Sequence, residues 1–213
     1  VFITAGIGSY TRLRLPPTTA VYTRKVAVPS KSVVTKPFLF EGPRRRRLAE
    51  QGAEGLHGNV DTLITVPNDR LLGVMEKKAS MHQAFEAADD VLRQGVQGIS
   101  DIILLPGVIN VDFADVRAVM SRAGVALMGL GHGVGDSRAK VAAQRAANSP
   151  LLETSIQGAR RLLVNVTAGP DFSIGEIHEA MEYIQQFADA DEAEIIMGHV
   201  LKDQMNDEVQ ITI

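Results

Sequence analysis

The sequence predicts an α/β chain that closes in a compact α+β unit, and three observations carry that prediction. Strand-like β-branched runs alternate with helix-patterned segments along most of the 213 residues, the order that builds parallel sheets. One segment, Met81 to about Leu105, keeps an apolar period near 3.6 over an unusual length. From Arg161 onward, three strand-like runs surround a single helix with little repetition.

Element by element, Val1–Ala5 is a β-branched and aromatic run typical of a buried strand. Arg44–Leu56 is polar and helix-prone, Asp61–Val66 reads as a strand, and Asn68–Met75 as a short helix. In the long segment Phe85, Ala88, Leu92, Ile99 and Ile103 fall on one period, so a single helix is expected, interrupted at most at Gly95 and Gly98. A second helix is expected from Asp112. Val125–Leu130 is strand-like, and Gly129–Gly135 reads as a flexible glycine-rich loop after it, a weak phosphate site at most. Ser137–Ala147 is helical and stopped by Asn148-Ser149-Pro150. Strand Arg161–Val166, helix Ile174–Phe187 and strands Glu194–Val200 and Glu208–Ile213 complete the chain. The expected division is 1–80, a connecting helix at 81–105, and 106–213.

Composition excludes several classes of function. The net charge of −3 comes from interspersed acids and bases, which gives no attraction for nucleic acid or an anionic membrane. No cysteine is present, so disulfides and thiolate metal sites are excluded and a reducing cytoplasm suits the chain. No apolar run approaches membrane-spanning length and no signal peptide opens the sequence. His57, His82, His132, His178 and His199 lack metal-ligand spacing and are expected on the surface or as satisfied core groups. Because Val1 already lies in a strand-like run, the chain is expected to be a fragment.

The most informative stretch is Asn110-Val-Asp-Phe-Ala-Asp-Val116, where the loop marked by Pro106-Gly107 gives way to a helix. Asp112 and Asp115 are three residues apart and so share a face at the helix start. Such a pair can orient a water, hold a cation or complement the helix dipole. The alternative is simple capping, since Asp is a favoured N-cap residue.

Together with Val33–Gly42, Asp61–Leu72, Ser149-Pro-Leu-Leu-Glu153 and Leu163-Val-Asn-Val-Thr-Ala-Gly169, this stretch resembles FtsZ, the bacterial tubulin-like cell-division GTPase family. The five matches run in family order over residues 33–213. The resemblance implies the C-terminal part of a Rossmann-like GTPase domain, a long central helix and a small α+β C-terminal domain, truncated at its end. It further implies that Glu41 and Arg45 lie near the ribose and phosphates of GTP or GDP, and that Asn68 contacts the nucleotide. Phe85 would stack on guanine and Asp89 bond the base edge, with Asp90 as a possible substitute. Mg²⁺ would accompany the nucleotide. Asp112 and Asp115 would polarise water against the next subunit's γ-phosphate, and Asn110 would shape the loop. Simpler readings stand beside each: a helix start with a solvated basic face for Glu41 and Arg44–Arg47, a helix N-cap for Asn68, and core packing for Phe85.

Residues 7–32 depart from the family. Where FtsZ carries a glycine-rich phosphate loop, this chain reads Gly8-Ser-Tyr-Thr-Arg-Leu-Arg14; only Gly8 and Thr11 match. Bulky residues there crowd a phosphate and resist positive φ. Ser9–Ser32 also holds five cations, no acid and three prolines. A reading-frame slip, later restored, is the simplest account; a divergent loop is the alternative. The implied function is head-to-tail assembly into protofilaments, with GTP hydrolysed between subunits at a cytoplasmic division site. Expected partners are further copies of the chain and division-ring proteins, without nucleic acid or membrane insertion. A non-catalytic module that caps such filaments is the other reading.

Overall fold

Strands covered on both faces of a parallel sheet carry few exposed side chains, and two central segments of this protein are built that way. The computed structural model describes residues 2–6, 31–73, 75 and 78–213. Its first sheet is parallel throughout, in the order β1 (Phe2–Gly6), β2 (Lys31–Lys36), β3 (Thr62–Pro67) and β4 (Gly124–Ala126). Val33 sits beside Ile64 and Val34 beside Thr65, and Val33, Val34, Leu63, Ile64 and Val66 are all buried. Helix α1 (Pro43–His57) starts with proline at its first position, where the missing N–H costs nothing. It packs Leu56 against Val34 and Leu63, with Ala53 and Val60 at the margin. Strand β2 has no counterpart in the sequence reading. Its paired valines between lysines show neither alternation nor an apolar run.

Helix α2 is shorter than expected, Asn68–Leu71, and Pro67 occupies its N-cap position. Asn68 is therefore the first helical residue and does not cap. Helix α3 (Met81–Leu104) is continuous through both glycines and spans about 36 Å at 1.5 Å per residue. Ser80 and Gln83 form a capping box at its start, with Ser80 N–H donating to Gln83 Oε1 at 2.7 Å and Gln83 N–H to Ser80 Oγ at 3.2 Å. The buried stripe is Ala84, Ala88, Val91, Ile99 and Ile102, rotated from the expected one, so Phe85 lies at its margin.

The chain forms two units: Val1–Val96 with Met120–Leu127, and Gln97–Val119 with Met128–Ile213. The second is built on a mixed sheet in the order β5 (Leu130–Val134), β8 (Glu208–Thr212), β6 (Arg161–Ala168), β7 (Glu194–Leu201). Strand β8 is antiparallel to both β5 and β6, while β6 and β7 run parallel. Helices α5 (Arg138–Ala147) and α6 (Ile174–Gln185) cover it. Its core joins Ala139, Ala142, Ala143 and Ala146 of α5 to Val164, Val166, Val209 and Ile211 of the sheet and Ile184 of α6.

The expected strand at Val125–Leu130 is divided. Gly124–Ala126 extends the first sheet and Leu130–Val134 edges the second. The glycine-rich stretch is thus largely strand rather than loop, and the reason is its fit to α5. A Cβ on Gly129, Gly131 or Gly133 would lie 2.1, 1.9 or 2.0 Å from the carbonyl oxygens of Ala146, Ala142 and Arg138. Four residues of helix and two of strand both advance roughly 6–7 Å, so the glycine at every second strand position meets every fourth helical carbonyl. No described helix is long and apolar enough to cross a membrane.

Candidate functional site

In the first unit the residues expected around a nucleotide collect where β2 and β3 end, at the carboxyl end of the sheet where parallel α/β folds bind ligands. Beyond β2, Pro37 and Phe38 lead into a 3-10 turn, Leu39–Glu41, and Gly42 takes φ +93° to swing the chain into α1. The Glu41 carboxylate accepts from Phe38 N–H at 2.9 Å and from the Arg45 guanidinium, which stays partly exposed. Leu39 N–H donates to Asp69 Oδ1 at 2.9 Å, tying the exit of β2 to that of β3. Asn68 is 5% exposed, and its Oδ1 has no hydrogen-bond partner among the described residues. Such an orphan costs about 1–3 kcal/mol unless something donates to it.

Three phenylalanines form the neighbouring wall. Buried Phe38 stacks on Phe40 with centroids 4.9 Å apart, and Phe85 meets the two edge-on at 5.4 and 6.4 Å. Phe85 is thus neither a plain core residue nor a bare one; it is 38% exposed, and Phe40 54%. Asp89 lies four residues beyond Phe85 on the same helix face and is exposed. Asp90 is engaged on its own helix: burial pushes its carboxyl up, but hydrogen bonds from Arg93 and Gln94 outweigh this and hold it below the usual carboxylate range. Gly8 and Thr11 lie outside the described residues.

In the second unit Asn110, Asp112 and Asp115 come together on one loop and helix start. Asn110 Oδ1 accepts from Gly107 N–H at 3.0 Å and closes the loop on itself. Asp112 Oδ1 accepts from Asp115 N–H at 2.8 Å, so Asp112 does cap α4 (Phe113–Met120), while both side chains remain exposed. Capping fixes the position of the first carboxylate without burying it. Val111 and Val116 are buried and anchor the segment. Around it Leu104, Val108 and Phe113 are exposed by 76, 77 and 55%. Exposed apolar side chains thus flank the exposed carboxylates.

Two residues that sequence reasoning passed over support this unit. His199 lies on β7 beneath the loop and is almost fully buried, not the satisfied core group expected, because its Nε2 has no partner among the described residues. Arg138 is buried at the start of α5, where it bonds Asp171 at 2.6 Å and Glu176 at 2.7 Å and lies over the Phe172 ring. Glu176 also completes a capping box with Ser173. Hydrogen bonds from Arg138 hold the Glu176 and Asp171 carboxyls below their usual range. Their contribution to stability is full above the ordinary carboxylate pKa and is lost as pH falls through the lowered values. Arg138→Met leaves two acids without their cation, and because both are partly exposed the unfolding midpoint should fall by less than for a dry pair. Urea unfolding at pH 7 checks this; an unchanged midpoint would mean the network contributes nothing.

A parallel sheet, a long helix and a mixed-sheet unit bearing an exposed aspartate loop define the tubulin/FtsZ class of fold. Residues 124–213 match the FtsZ family, C-terminal domain. A mutant FtsZ from M. jannaschii superposes with a TM-score of 0.94 at 36% identity, covering 100% of this chain and 63% of that one. An empty FtsZ dimer from M. jannaschii gives 0.93 at 36%, covering 100% and 61%. CetZ1 from Haloferax volcanii, described as a GDP-bound monomer, shares the fold at TM-score 0.75 and 17% identity, covering 99% and 62%. Residues 124–213 therefore belong to the FtsZ family's C-terminal domain, and the whole chain is FtsZ-like while spanning less than two thirds of those FtsZ chains.

Proposed function

We propose that this protein is a subunit of an FtsZ-like GTPase that assembles head to tail, with GTP hydrolysed between neighbouring subunits. The observation that carries the proposal is the exposed pair Asp112 and Asp115, fixed by a cap and a closed loop and ringed by exposed apolar residues. Carboxylates so placed serve chemistry on a second molecule. They would position and polarise the water that attacks the γ-phosphate of the adjoining subunit's nucleotide, and Asn110 would hold the loop in shape. A heterologous contact that does not close generates filaments. The similarity to an FtsZ dimer supports self-association.

Within the first unit, the orphan Oδ1 of Asn68 suits a donor on the nucleotide, and the Phe40 and Phe85 faces suit a base. Asp89 would bond the base edge, with Glu41 and Arg45 toward ribose and phosphate. Mg²⁺ bound with the phosphates would neutralise the charge that develops during transfer. Division-ring proteins would be the further partners, at a cytoplasmic division site.

One observation favours a second reading, a non-catalytic module that caps filaments through its aspartate face. Ser9, Tyr10, Arg12, Leu13 and Arg14 stand where the phosphate loop calls for small, permissive residues. On that ground this chain should bind GTP no tighter than the millimolar range, about −4 kcal/mol. Calorimetric titration checks that point, and micromolar affinity would overturn it. The proposed assembly is tested separately by co-sedimentation: the chain should pellet with GTP-dependent filaments of an FtsZ protein. Its retention in the supernatant would count against both readings.

A further inference from the structure

Deepening the reading of residues 106–115 as the aspartate loop, and resting on it, we infer that His199 is the positioning residue that holds this loop in working geometry. The loop lies along β7, over His199 and Leu201. Gly107 passes so close that a Cβ would stand 1.5 Å from the His199 carbonyl oxygen. His199 N–H donates to Ile109 C=O at 2.9 Å, and Leu201 N–H reaches Pro106 C=O at 3.5 Å. These backbone bonds fix the two ends of the turn. Its crest is fixed by a side chain: Val108 N–H donates to His199 Nδ1 at 3.4 Å. Two residues on, Asn110 closes the loop and leads into Asp112.

The acceptor role of Nδ1 sets the chemistry of the ring. With Nδ1 accepting, the neutral imidazole carries its proton on Nε2, and that N–H is buried without a partner among the described residues. Phe172 stacks on the ring at 5.8 Å with the planes 5° apart, and locks its orientation. A residue chosen for stability would not leave a buried donor orphaned, because an aliphatic side chain fills the same space without that cost. The arrangement is therefore explained by the one bond the ring makes to the loop. Burial lowers the His199 pKa, which keeps the ring in the neutral form that can accept.

Stability and positioning thus make opposite predictions for the same variants. His199→Leu removes the orphan and should unfold at an equal or higher temperature than the parent chain, yet lose the hold on Val108. Its Val108 amide should exchange with solvent at least tenfold faster, while amides of Val166 and Ile211 stay unchanged. His199→Asn places an amide oxygen near the position of Nδ1 and should restore Val108 protection to within a few-fold. The full chain is the sample for both measurements. If Val108 exchanges alike in the parent and His199→Leu chains, or if His199→Asn fails to rescue, the positioning role is wrong. A companion assay adds each variant to an FtsZ protein that binds GTP but lacks its own aspartates. The parent and Asn chains should restore turnover and the Leu chain should not; turnover restored equally by the Leu chain also overturns the role. Failure of the parent chain itself would instead reject the shared-site reading, and the exchange pattern would still decide what His199 does.

Discussion

In a full-length FtsZ-like protein carrying residues 33–213 of this chain and an intact phosphate loop, Asp112→Ala and Asp115→Ala should each slow GTP turnover by roughly 10²–10⁴-fold. Both carboxylates are exposed and supported from below by Val111 and Val116, so their removal leaves the packing intact. GTP binding to the isolated subunit should change little, because the pair acts on the neighbour's nucleotide. Filaments should persist longer, since hydrolysis weakens the contact between subunits. The capping role of Asp112 is real but small. Loss of the bond to Asp115 N–H costs about 1 kcal/mol of helix stability and would not slow turnover at saturating GTP. Steady-state kinetics with a melting curve on the same variants separates the two: a lowered Tm with intact turnover would assign the pair to structure alone.

The second large effect is on the C-terminal unit. Gly131→Ala adds one methyl group 1.9 Å from the Ala142 oxygen and 2.5 Å from the Ala146 nitrogen, both rigid helix backbone. Helix α5 must lift from the sheet or β5 must leave it, so the expected loss is about 3 kcal/mol or more. The same change at Gly175, near the start of α6, meets only Ser173 Oγ at 3.9 Å. There the gain in helix propensity should stabilise by up to about 1 kcal/mol. Native-state hydrogen exchange of the β6 amides reads both effects on one scale. Equal protection in the two variants would mean that the close seating of α5 on the glycines is not what holds the unit together.

Elements with a strong period of their own were legible in the sequence. Helix α3 announces itself by its apolar stripe, and β6, α6, β7 and β8 by clear runs between turn residues. What local pattern could not show is structure decided by distant partners. Leu130–Val134 is a strand because it pairs with β8 and its glycines let α5 lie close against it, and glycine by itself signals a loop. Lys31–Lys36 is a strand because β1 and β3 flank it. The site divides in the same way. Asn110, Asp112 and Asp115 stood out through their spacing and the company of four other motifs. Arg138 and His199 have no local signature, since their partners lie 33, 38 and 91 residues away along the chain.

The central claim, that the aspartates of one subunit act on the nucleotide of the next, is tested most directly by mixing. One subunit binds GTP but lacks both aspartates; the other keeps the aspartate loop but cannot bind GTP, a role this chain fills if its altered loop excludes the triphosphate. Each alone should be inactive. Mixed, they should regain GTP turnover that rises with the proportion of loop donor and disappears when the donor carries Asp112→Ala. A mixture that co-assembles, as judged by sedimentation, yet stays inactive would contradict the shared site.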